Sequence, residues 1–473
     1  MDVTNLTIES ILDGYKNKKF SVNEVVESYL KRIKRHDKEL NSFITVCEKE
    51  ALEEAKKKDE DLANGVKLPL LGLPIALKDM FSTKGIRTTA ASNVLKDYIP
   101  SYNATVVDRL KDAGAIILGK TNHDAWAHGS SGENSDFGPT KNPWNKEYTP
   151  GGSSSGSAVA VAAGLTPIAT GTDTGGSIRL PASFTNVVGL KPTYGRVSRF
   201  GIISMASSLD SIGHFTKTVS DSARILQTTA GKDGYDATLS SDKPKNYLKN
   251  LKNGIKGLRL GVPKEFVTKG LQKEVKNAFE GAVKILEDLG AETLEVSLPH
   301  TEYGIATYYV IQTAEVSSNL ARFDGIRFGN KRTEFGDEAK RRIMLGTFTL
   351  SAGYYDAYYK RAMQVRTLVR KDYEKAFDLS SGGVDAIIVP ASPTTPWRLG
   401  EKVNDPLAMY LSDALTVTAN IAGIPGLSVP AGFNNGLPVG IQILGPQFSE
   451  DLLFRIGYSF EQKTEYYKQT PNL

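Results

Sequence analysis

Cysteines and closely spaced histidines, which would indicate disulfide bonds or a metal site, are scarce in this sequence. Cys47 is the only cysteine in 473 residues, which excludes an internal disulfide bond and a cluster of cysteine ligands. The five histidines show no spacing typical of metal ligands. We therefore expect a chain that holds no metal ion itself and has no covalent cross-links.

Long apolar runs, targeting signals and nucleotide-binding motifs are also missing. No apolar run approaches the ~20 residues that a membrane-spanning helix needs. Residues 1–4 do not begin the basic and then apolar pattern of a signal peptide, and no Gly-x-x-x-x-Gly-Lys-Ser/Thr motif occurs. The net charge of +5 is small for a protein that holds a polyanion unaided. These absences predict a cytoplasmic protein with no membrane span and no ATP site of its own.

A glycine- and serine-rich segment, residues 151–177, stands out among the residues that are present. Gly-Gly-Ser at 151–153 and Asp-Thr-Gly-Gly-Ser at 173–177 flank an apolar stretch that predicts a short buried helix and then a strand. Glycines allow the backbone to approach a ligand closely. Ser177 therefore has the setting of an acyl-transfer nucleophile, an exposed hydroxyl beside an oxyanion hole. A phosphate-binding loop is disfavoured because no lysine follows the glycines, and a flexible linker would not enclose an apolar stretch.

This segment resembles the amidase signature family. The resemblance extends over residues 151–191 and includes Gly-Thr-Asp-Thr-Gly-Gly-Ser-Ile-Arg-Leu-Pro-Ala-Ser at 171–183. It implies a Lys–Ser–Ser catalytic triad, with Ser177 as the acylated nucleophile, Ser153 as the bridging serine and Lys78 as the base.

The surroundings of Lys78 fit a proton acceptor. Residues 70–77 form a nearly continuous apolar run, which predicts a buried strand with Lys78 at its carboxyl end, where α/β sheets place their ligand crevices. Burial would lower the pKa of the lysine toward neutrality, so that it could take a proton from Ser177 through Ser153. The alternative is a solvated lysine at the end of a strand.

The turn around the nucleophile supplies the candidate oxyanion hole. Its candidate donors are the backbone N–H groups of Thr174, Gly175, Gly176 and Ser177. The family resemblance also implies a cis peptide bond between Gly152 and Ser153.

Segments outside the signature are similar to one branch of the family, the glutaminase subunits of tRNA-dependent amidotransferases. These segments are residues 317–325, 340–347, 353–359 and 405–407. The similarity implies hydrolysis of free glutamine within a hetero-oligomer that also contains amidotransferase subunits B and C. The ammonia would pass to a partner subunit that uses ATP and Mg. It would convert Glu-tRNA(Gln) to Gln-tRNA(Gln), or Asp-tRNA(Asn) to Asn-tRNA(Asn), on tRNA held mainly by that partner.

Free glutamine carries one ammonium and one carboxylate, so its pocket needs one charge of each sign. By position, the similarity implies that Arg342 pairs with the carboxylate and Asp413 with the ammonium. Tyr308 or Tyr309 would complete the site, and the sequence does not decide between them. The alternative for each charged residue is a solvated surface position. For the whole chain, the alternatives are a stand-alone amidase acting on peptide or aliphatic amides and a scaffold without turnover.

The predicted fold class is α/β. The family resemblance implies one amidase-signature domain, residues 1–473, in which a large twisted mixed β-sheet is covered by helices on both faces. We divide it into an N-terminal helical region (1–65), a catalytic signature core (66–230) and a helical insertion (303–377). The sequence Ser-Val-Asn-Glu at 21–24 predicts a capped helix start, and Asn-Asn-Gly at 434–436 predicts a β-hairpin.

Overall fold

One mixed β-sheet of 11 strands organises the molecule in the computed structural model, which describes residues 3–267 and 270–473. Across the sheet the strands follow the order β1-β3-β2-β4-β6-β5-β10-β11-β9-β7-β8. The strands are β1 (Phe43–Val46), β2 (Pro74–Lys78), β3 (Ile116–Thr121), β4 (Ile168–Asp173), β5 (Val188–Lys191), β6 (Ser211–Thr216), β7 (Arg259–Pro263), β8 (Glu292–Val296), β9 (Ala386–Pro390), β10 (Gly426–Asn434) and β11 (Leu437–Leu444).

Helices occupy much of the remaining described chain. They are α1 (Ile8–Lys16), α2 (Val22–Leu40), α3 (Glu48–Ala63), α4 (Thr105–Asp112), α5 (Ser155–Ala162), α6 (Arg179–Thr185), α7 (Val219–Thr229), α8 (Lys264–Val267), α9 (Lys273–Asp288), α10 (Gly304–Asn319), α11 (Asp337–Thr349), α12 (Arg361–Ala376), α13 (Pro406–Tyr410), α14 (Val417–Ala422) and α15 (Glu450–Thr464). A π-helix, Tyr355–Lys360, precedes α12 directly. No helix within the described ranges combines the length and the apolar content that crossing a bilayer requires.

Strand directions divide the sheet into two halves. Strands β1–β6 are contiguous on one side, strands β7–β11 on the other, and the antiparallel pair of β5 with β10 joins them. Strand β2 runs parallel to both β3 and β4, and β7 runs parallel to both β8 and β9. The remaining pairs are antiparallel, so the predicted mixed sheet is confirmed.

Two apolar layers enclose the sheet. In β9, Ile388 belongs to one hydrophobic cluster and its neighbours Ile387 and Val389 to the other. Successive strand residues point to opposite faces, so the two clusters lie on the two sides of the sheet. Helices α2, α5, α7 and α15 contribute to the first layer, and α10, α12 and α14 to the second. The predicted cover of helices on both faces is therefore confirmed.

Local sequence signals correctly marked several element ends. Ser21 and Glu24 form a reciprocal capping box at the start of α2. Strands β10 and β11 pair as the hairpin predicted from the Asn-Asn-Gly turn. The prediction of a strand over residues 70–77 was wrong at its start, because Gly72 has φ +74° and the Leu73 N–H donates to the Leu70 carbonyl in a turn.

The stretch 303–377 contains α10, α11, the π-helix and α12, and none of its residues, all of them described, belongs to a strand. This agrees with its predicted helical character. The division of the chain into regions remains a prediction.

Candidate active site

Lys78 lies at the carboxyl end of β2, fully buried beneath two serine-bearing turns. Its ammonium nitrogen Nζ is 2.8 Å from Ser153 Oγ, 3.0 Å from Ser154 Oγ and 2.8 Å from Thr172 Oγ1. The parallel pairing of β2 with β4 brings Thr172 to this position. The alternative of a solvated lysine is wrong, since the residue has no solvent exposure.

Burial controls the charge of this lysine. Desolvation lowers the pKa of Lys78 to about 7, against the opposing attraction of the carboxyl groups of Asp124, Asp173 and Asp210. Desolvation also raises the pKa of Asp124 to about 7 and that of Asp210 to about 6. A substantial fraction of Lys78 is therefore neutral near pH 7 and able to accept a proton.

Ser153 follows a cis peptide bond with Gly152, as expected from the family resemblance. The carboxyl group of Asp124 packs so closely against Gly152 that a β-carbon there would collide with it. Asp124 is held by the N–H groups of Gly132 and Asn134, at 3.0 and 2.9 Å, and its own N–H donates to the Ser153 carbonyl. Asp124 therefore holds the backbone on both sides of the Gly152–Ser153 bond, through its carboxyl group at Gly152 and its N–H at the Ser153 carbonyl.

Ser177 is the least buried member of the predicted triad, with 9% of its surface exposed, whereas Lys78 and Ser153 have none. We expected a more exposed hydroxyl. Across residues 3–267 and 270–473, no group forms a hydrogen bond with the Ser177 hydroxyl, while its carbonyl accepts from the N–H of Ser154 at 3.2 Å. The backbone of Ser177 is therefore tied to the Ser153–Ser154 turn, and its hydroxyl has no protein partner among the described residues.

One predicted oxyanion donor needs correction. The Gly176 N–H donates to the Asp173 carboxylate at 2.9 Å, so it is already engaged and does not face the site. In the part of the chain that the structure describes, the N–H groups of Thr174, Gly175 and Ser177 have no hydrogen-bond acceptor. These three remain the candidate donors.

The turn is held in shape by a buried ionic network that was not predicted. Asp173 pairs with Arg179 at 3.0 Å and accepts hydrogen bonds from the side-chain amide of Asn420. The Arg179 cation holds the pKa of Asp173 at about 2, against the opposing effect of burial. Thr416 donates to the Gly175 carbonyl at 2.6 Å and lies so close that a β-carbon at Gly176 would collide with its hydroxyl.

Arg342 and Asp413, the two charged residues predicted to bind the substrate, are both buried. Arg342 is 2% exposed and Asp413 7%, so the alternative of solvated surface charges is wrong. Tyr309 connects them: its hydroxyl donates to Asp413 at 3.0 Å, and the Arg342 guanidinium carbon is 5.4 Å from its ring centre. Asp413 also accepts from Ser130, whose carbonyl accepts from the Gly152 N–H.

The two candidate tyrosines occupy different places. Tyr309 contacts both charged residues, whereas the Tyr308 ring lies against the backbone of Gly175, 2.6 Å from where a β-carbon would stand. Their rings meet edge to face at 5.0 Å. Tyr308 thus borders the candidate oxyanion turn, and Tyr309 borders the charge pair.

Several residues of this site were not predicted: Asp124, Thr172, Asp173, Glu338, Tyr410 and Asn420. Thr172 and Asp173 belong to the signature segment, so their proximity to Lys78 could have been inferred from the pairing of β2 and β4. Glu338 lies four residues before Arg342 on the same helix, a spacing that could have indicated the pair. Asp124, Tyr410 and Asn420 reach the site through contacts between distant parts of the chain, for which a single sequence carries no local signal.

Comparison with known proteins places this geometry in a family. A family model described as Amidase matches residues 24–454. The chain is 51% identical to the A subunit of glutamyl-tRNA(Gln) amidotransferase from Thermoanaerobacter pseudethanolicus, over 98% of each chain. The crystal structure of the corresponding protein from Thermotoga maritima has a TM-score of 0.85 at 43% identity, covering 100% of this chain and 98% of that one. The peptide amidase of Stenotrophomonas maltophilia has a TM-score of 0.86 at 30% identity, over 98% of both chains.

The family match covers most of the chain and includes both serine turns, the strand that carries Lys78 and the helices that carry Tyr309 and Arg342. The chain therefore belongs to the amidase family.

Proposed function

We propose that the chain is the glutaminase subunit of a tRNA-dependent amidotransferase. It hydrolyses free glutamine to glutamate and ammonia, and the ammonia converts Glu-tRNA(Gln) to Gln-tRNA(Gln), or Asp-tRNA(Asn) to Asn-tRNA(Asn), at a partner subunit. The names of its relatives in Thermoanaerobacter and Thermotoga, each the A subunit of a glutamyl-tRNA(Gln) amidotransferase, support this assignment.

The observation that carries the proposal is the pair of buried, oppositely charged side chains that both contact Tyr309. Arg342 would bind the α-carboxylate of glutamine and Asp413 its α-ammonium, which leaves the side-chain amide to reach Ser177. A simple aliphatic amide carries neither charge and would gain nothing from burying both. The cost of desolvating Arg342 and Asp413 is therefore best explained by a substrate that carries both charges.

Ser153 is the best placed relay between nucleophile and base. A protonated Lys78 has three N–H groups for the three oxygens around it, but a neutral one has only two, so one hydroxyl must then donate to Nζ. Ser154 donates to the Thr172 carbonyl at 3.1 Å, and Thr172 points its hydroxyl toward the sulfur of Met80. Among the described residues, Ser153 has no other acceptor for its proton, so it is the hydroxyl that faces the lone pair of Lys78.

The reaction then follows acyl transfer in two halves. Ser177 Oγ attacks the amide carbon as its proton passes through Ser153 to Lys78, and the N–H groups of Thr174, Gly175 and Ser177 stabilise the oxyanion. The same proton returns to the leaving nitrogen, which departs as ammonia. Water attacks the acyl-enzyme by the reverse relay and releases glutamate.

Amidotransferase subunits B and C would complete the enzyme. Activation of tRNA-bound glutamate requires ATP and Mg, which the proposal assigns to a partner subunit, because this sequence has no phosphate-binding loop. The tRNA would likewise be held mainly by the partner.

The proposal is tested by ammonia release from four amides: glutamine, 4-aminobutanamide, glutaramate and butanamide. The second lacks the α-carboxylate of glutamine, the third lacks its ammonium and the fourth lacks both. We expect glutamine to be hydrolysed with the highest kcat/KM, and its rate to rise when subunits B and C, acceptor tRNA and ATP are added to the purified chain. Full turnover without partners, or butanamide hydrolysed as well as glutamine, would instead indicate a stand-alone amidase.

A further inference from the structure

Among the described residues, Arg342 forms a hydrogen bond through only one guanidinium nitrogen, Nε. Its Nε donates to Glu338 Oε1 at 2.7 Å. The terminal nitrogens Nη1 and Nη2 make no hydrogen bond to any part of residues 3–267 or 270–473. The group lies beside the stacked rings of two tyrosines, with the guanidinium carbon 5.4 Å from the centre of Tyr309 and 5.6 Å from that of Tyr410. The guanidinium is therefore fixed at Nε and bordered on one side by the two stacked rings, while the edge formed by Nη1 and Nη2 remains available for a bidentate carboxylate.

Glu338 lies four residues before Arg342 on α11 and also contacts Tyr410. Its Oε1 also accepts from the Tyr410 hydroxyl at 3.1 Å. Tyr410 stacks on Tyr309 with ring centres 3.9 Å apart and planes at 23°, and Tyr309 in turn donates to Asp413. One carboxylate thus connects the supports of both charges in the proposed glutamine site.

The local charge also suits a single carboxylate ligand. Glu338 Oε2 pairs with Arg341, so one negative group is shared by two arginines. The three side chains together carry one net positive charge. Burial disfavours the Arg342 cation, yet Glu338 raises the pKa of Arg342 above its ordinary value, so the arginine remains charged.

We propose that Glu338 is a positioning residue for the α-carboxylate of the substrate. It engages Nε of Arg342, so that a carboxylate ligand meets Nη1 and Nη2, and it steadies the Tyr309–Tyr410 stack through the Tyr410 hydroxyl. This inference rests on the proposed glutaminase function. Glu338 itself does not touch the substrate.

The test is Glu338→Gln in the full chain, assembled with its partner subunits. Glutamine keeps the size of the side chain and one acceptor oxygen but removes its charge. We expect KM to rise about tenfold for glutamine and for glutaramate, because a charged hydrogen bond that orients the arginine is lost. The kcat for both substrates, and both constants for 4-aminobutanamide, should stay close to those of the unmodified enzyme, because the retained side-chain oxygen can still accept from Tyr410 and keep the Tyr309–Tyr410 stack beside Asp413.

Glu374→Gln is the matched control. Glu374 pairs with Arg370 on α12 at the same 2.7 Å and the same four-residue spacing, but both side chains are more than half exposed. It should change no constant for any of the substrates. Glu338→Asp keeps the charge, so KM for glutamine and glutaramate should rise less than in Glu338→Gln.

Two outcomes would overturn the inference. One is an unchanged KM for glutamine in Glu338→Gln. The other is an equal increase in KM for glutamine and for 4-aminobutanamide, which would indicate a merely structural role. Failure of the proposed function is distinguishable, because it would appear in the unmodified enzyme as the absence of any preference for glutamine over 4-aminobutanamide.

Discussion

The signature segment and the helical region that carries Arg342 are built in opposite ways. Every residue from 151 to 193 is buried, and most are small, so Ser153 and Ser177 are surrounded by protein on almost all sides. Helix α11 has one buried face with Arg342 and one open face, where Met344 is 71% exposed, and residues 350–358 are all exposed.

Under the proposed function, this difference separates two tasks, acyl transfer in the signature segment and recognition of the substrate's charges in the helical region. Acyl transfer needs atoms held to within fractions of an ångström, and dense packing of short side chains provides that. Recognition of a substrate's charged groups uses long side chains on helices, and each of these side chains needs its own supports, such as Glu338 for Arg342. Substitutions in the first region should therefore affect every amide, and those in the second only amides that carry the matching charge.

The largest expected effect comes from Ser177→Ala. Loss of the nucleophile should lower hydrolysis of glutamine and of butanamide together, by about 10⁴-fold or more, and abolish labelling by acyl-serine reagents. Lys78→Ala and Ser153→Ala should each cause a loss of similar size, and combining them should add little, because the relay acts as a unit. Ammonia release under saturating substrate measures all three.

Ser155→Ala is the control within the same buried segment. Ser155 donates to Thr140 at 3.2 Å and is not among the three hydroxyls that hydrogen-bond to Lys78 Nζ, so its loss should leave turnover nearly unchanged. Near-normal activity in Lys78→Ala or Ser153→Ala would refute the proposed triad.

The next largest effect should distinguish the role of Arg342 from that of Asp413. Arg342→Leu should raise KM by about 100-fold for glutamine and glutaramate, because the substrate carboxylate then lacks a buried partner, and it should spare 4-aminobutanamide. Asp413→Asn should raise KM for glutamine and 4-aminobutanamide and spare glutaramate. Steady-state kinetics on these amides measure both, with butanamide as the substrate that neither change should affect. Equal losses on all four amides would assign the two residues to the fold and would remove the distinction between the two regions.

A smaller effect should appear in the pH profile. Protonation of Lys78 below its pKa of about 7 removes the base, so kcat/KM should fall roughly tenfold per pH unit on the acid side of neutrality for every amide. Burial raises the pKa of Asp413 to about 6, and protonation there removes the partner of the ammonium. The decline for glutamine should therefore steepen below about pH 6, while that for butanamide keeps a single slope. Identical profiles for the two substrates would contradict the role of Asp413.

The smallest effect distinguishes the two tyrosines. Tyr309→Phe removes the hydrogen bond to Asp413 but keeps the stack on Tyr410, so KM for glutamine should rise by about fivefold. Tyr308→Phe removes no hydrogen bond with the described residues and retains the ring against Gly175, so it should have less effect. A larger change in Tyr308→Phe would assign substrate contact to that residue.

The same contrast governs what the sequence could predict. Lys78, Ser153 and Ser177 each lie in a local pattern, a strand end or a glycine turn, and the resemblance to the amidase signature family, carried by such patterns, implied their roles. The support for the nucleophile turn does not, because Asn420 is 247 residues from Asp173 and nothing near either residue indicates the other. Glu338 appears in the sequence as an ordinary helical charge four residues from an arginine, and only its burial and its contact with Tyr410 set it apart.

The secondary-structure elements that were hardest to predict are those in which contacts within the folded sheet, and not an apolar pattern, determine the residues. Strand β6, Ser211–Thr216, was not predicted, because Gly213 and His214 interrupt its apolar character. Gly213 is required there, since a β-carbon would collide with the Leu190 carbonyl of the neighbouring strand. Such close approaches are properties of the assembled sheet and leave no periodic trace in the sequence.

The two halves of the sheet are synthesised one after the other, because β1–β6 precede β7–β11 in the sequence. A chain still on the ribosome can pair β1–β6 as one contiguous unit, with Lys78, Ser153 and Ser177 already synthesised. Thr416, which holds the Gly175 carbonyl, follows 241 residues later, and Asn420 after it. Ser177 is thus translated long before the residues that hold its turn in shape. A polypeptide released early would carry Ser177 without the contacts from Thr416 and Asn420, so we expect an incompletely synthesised chain to lack amidase activity.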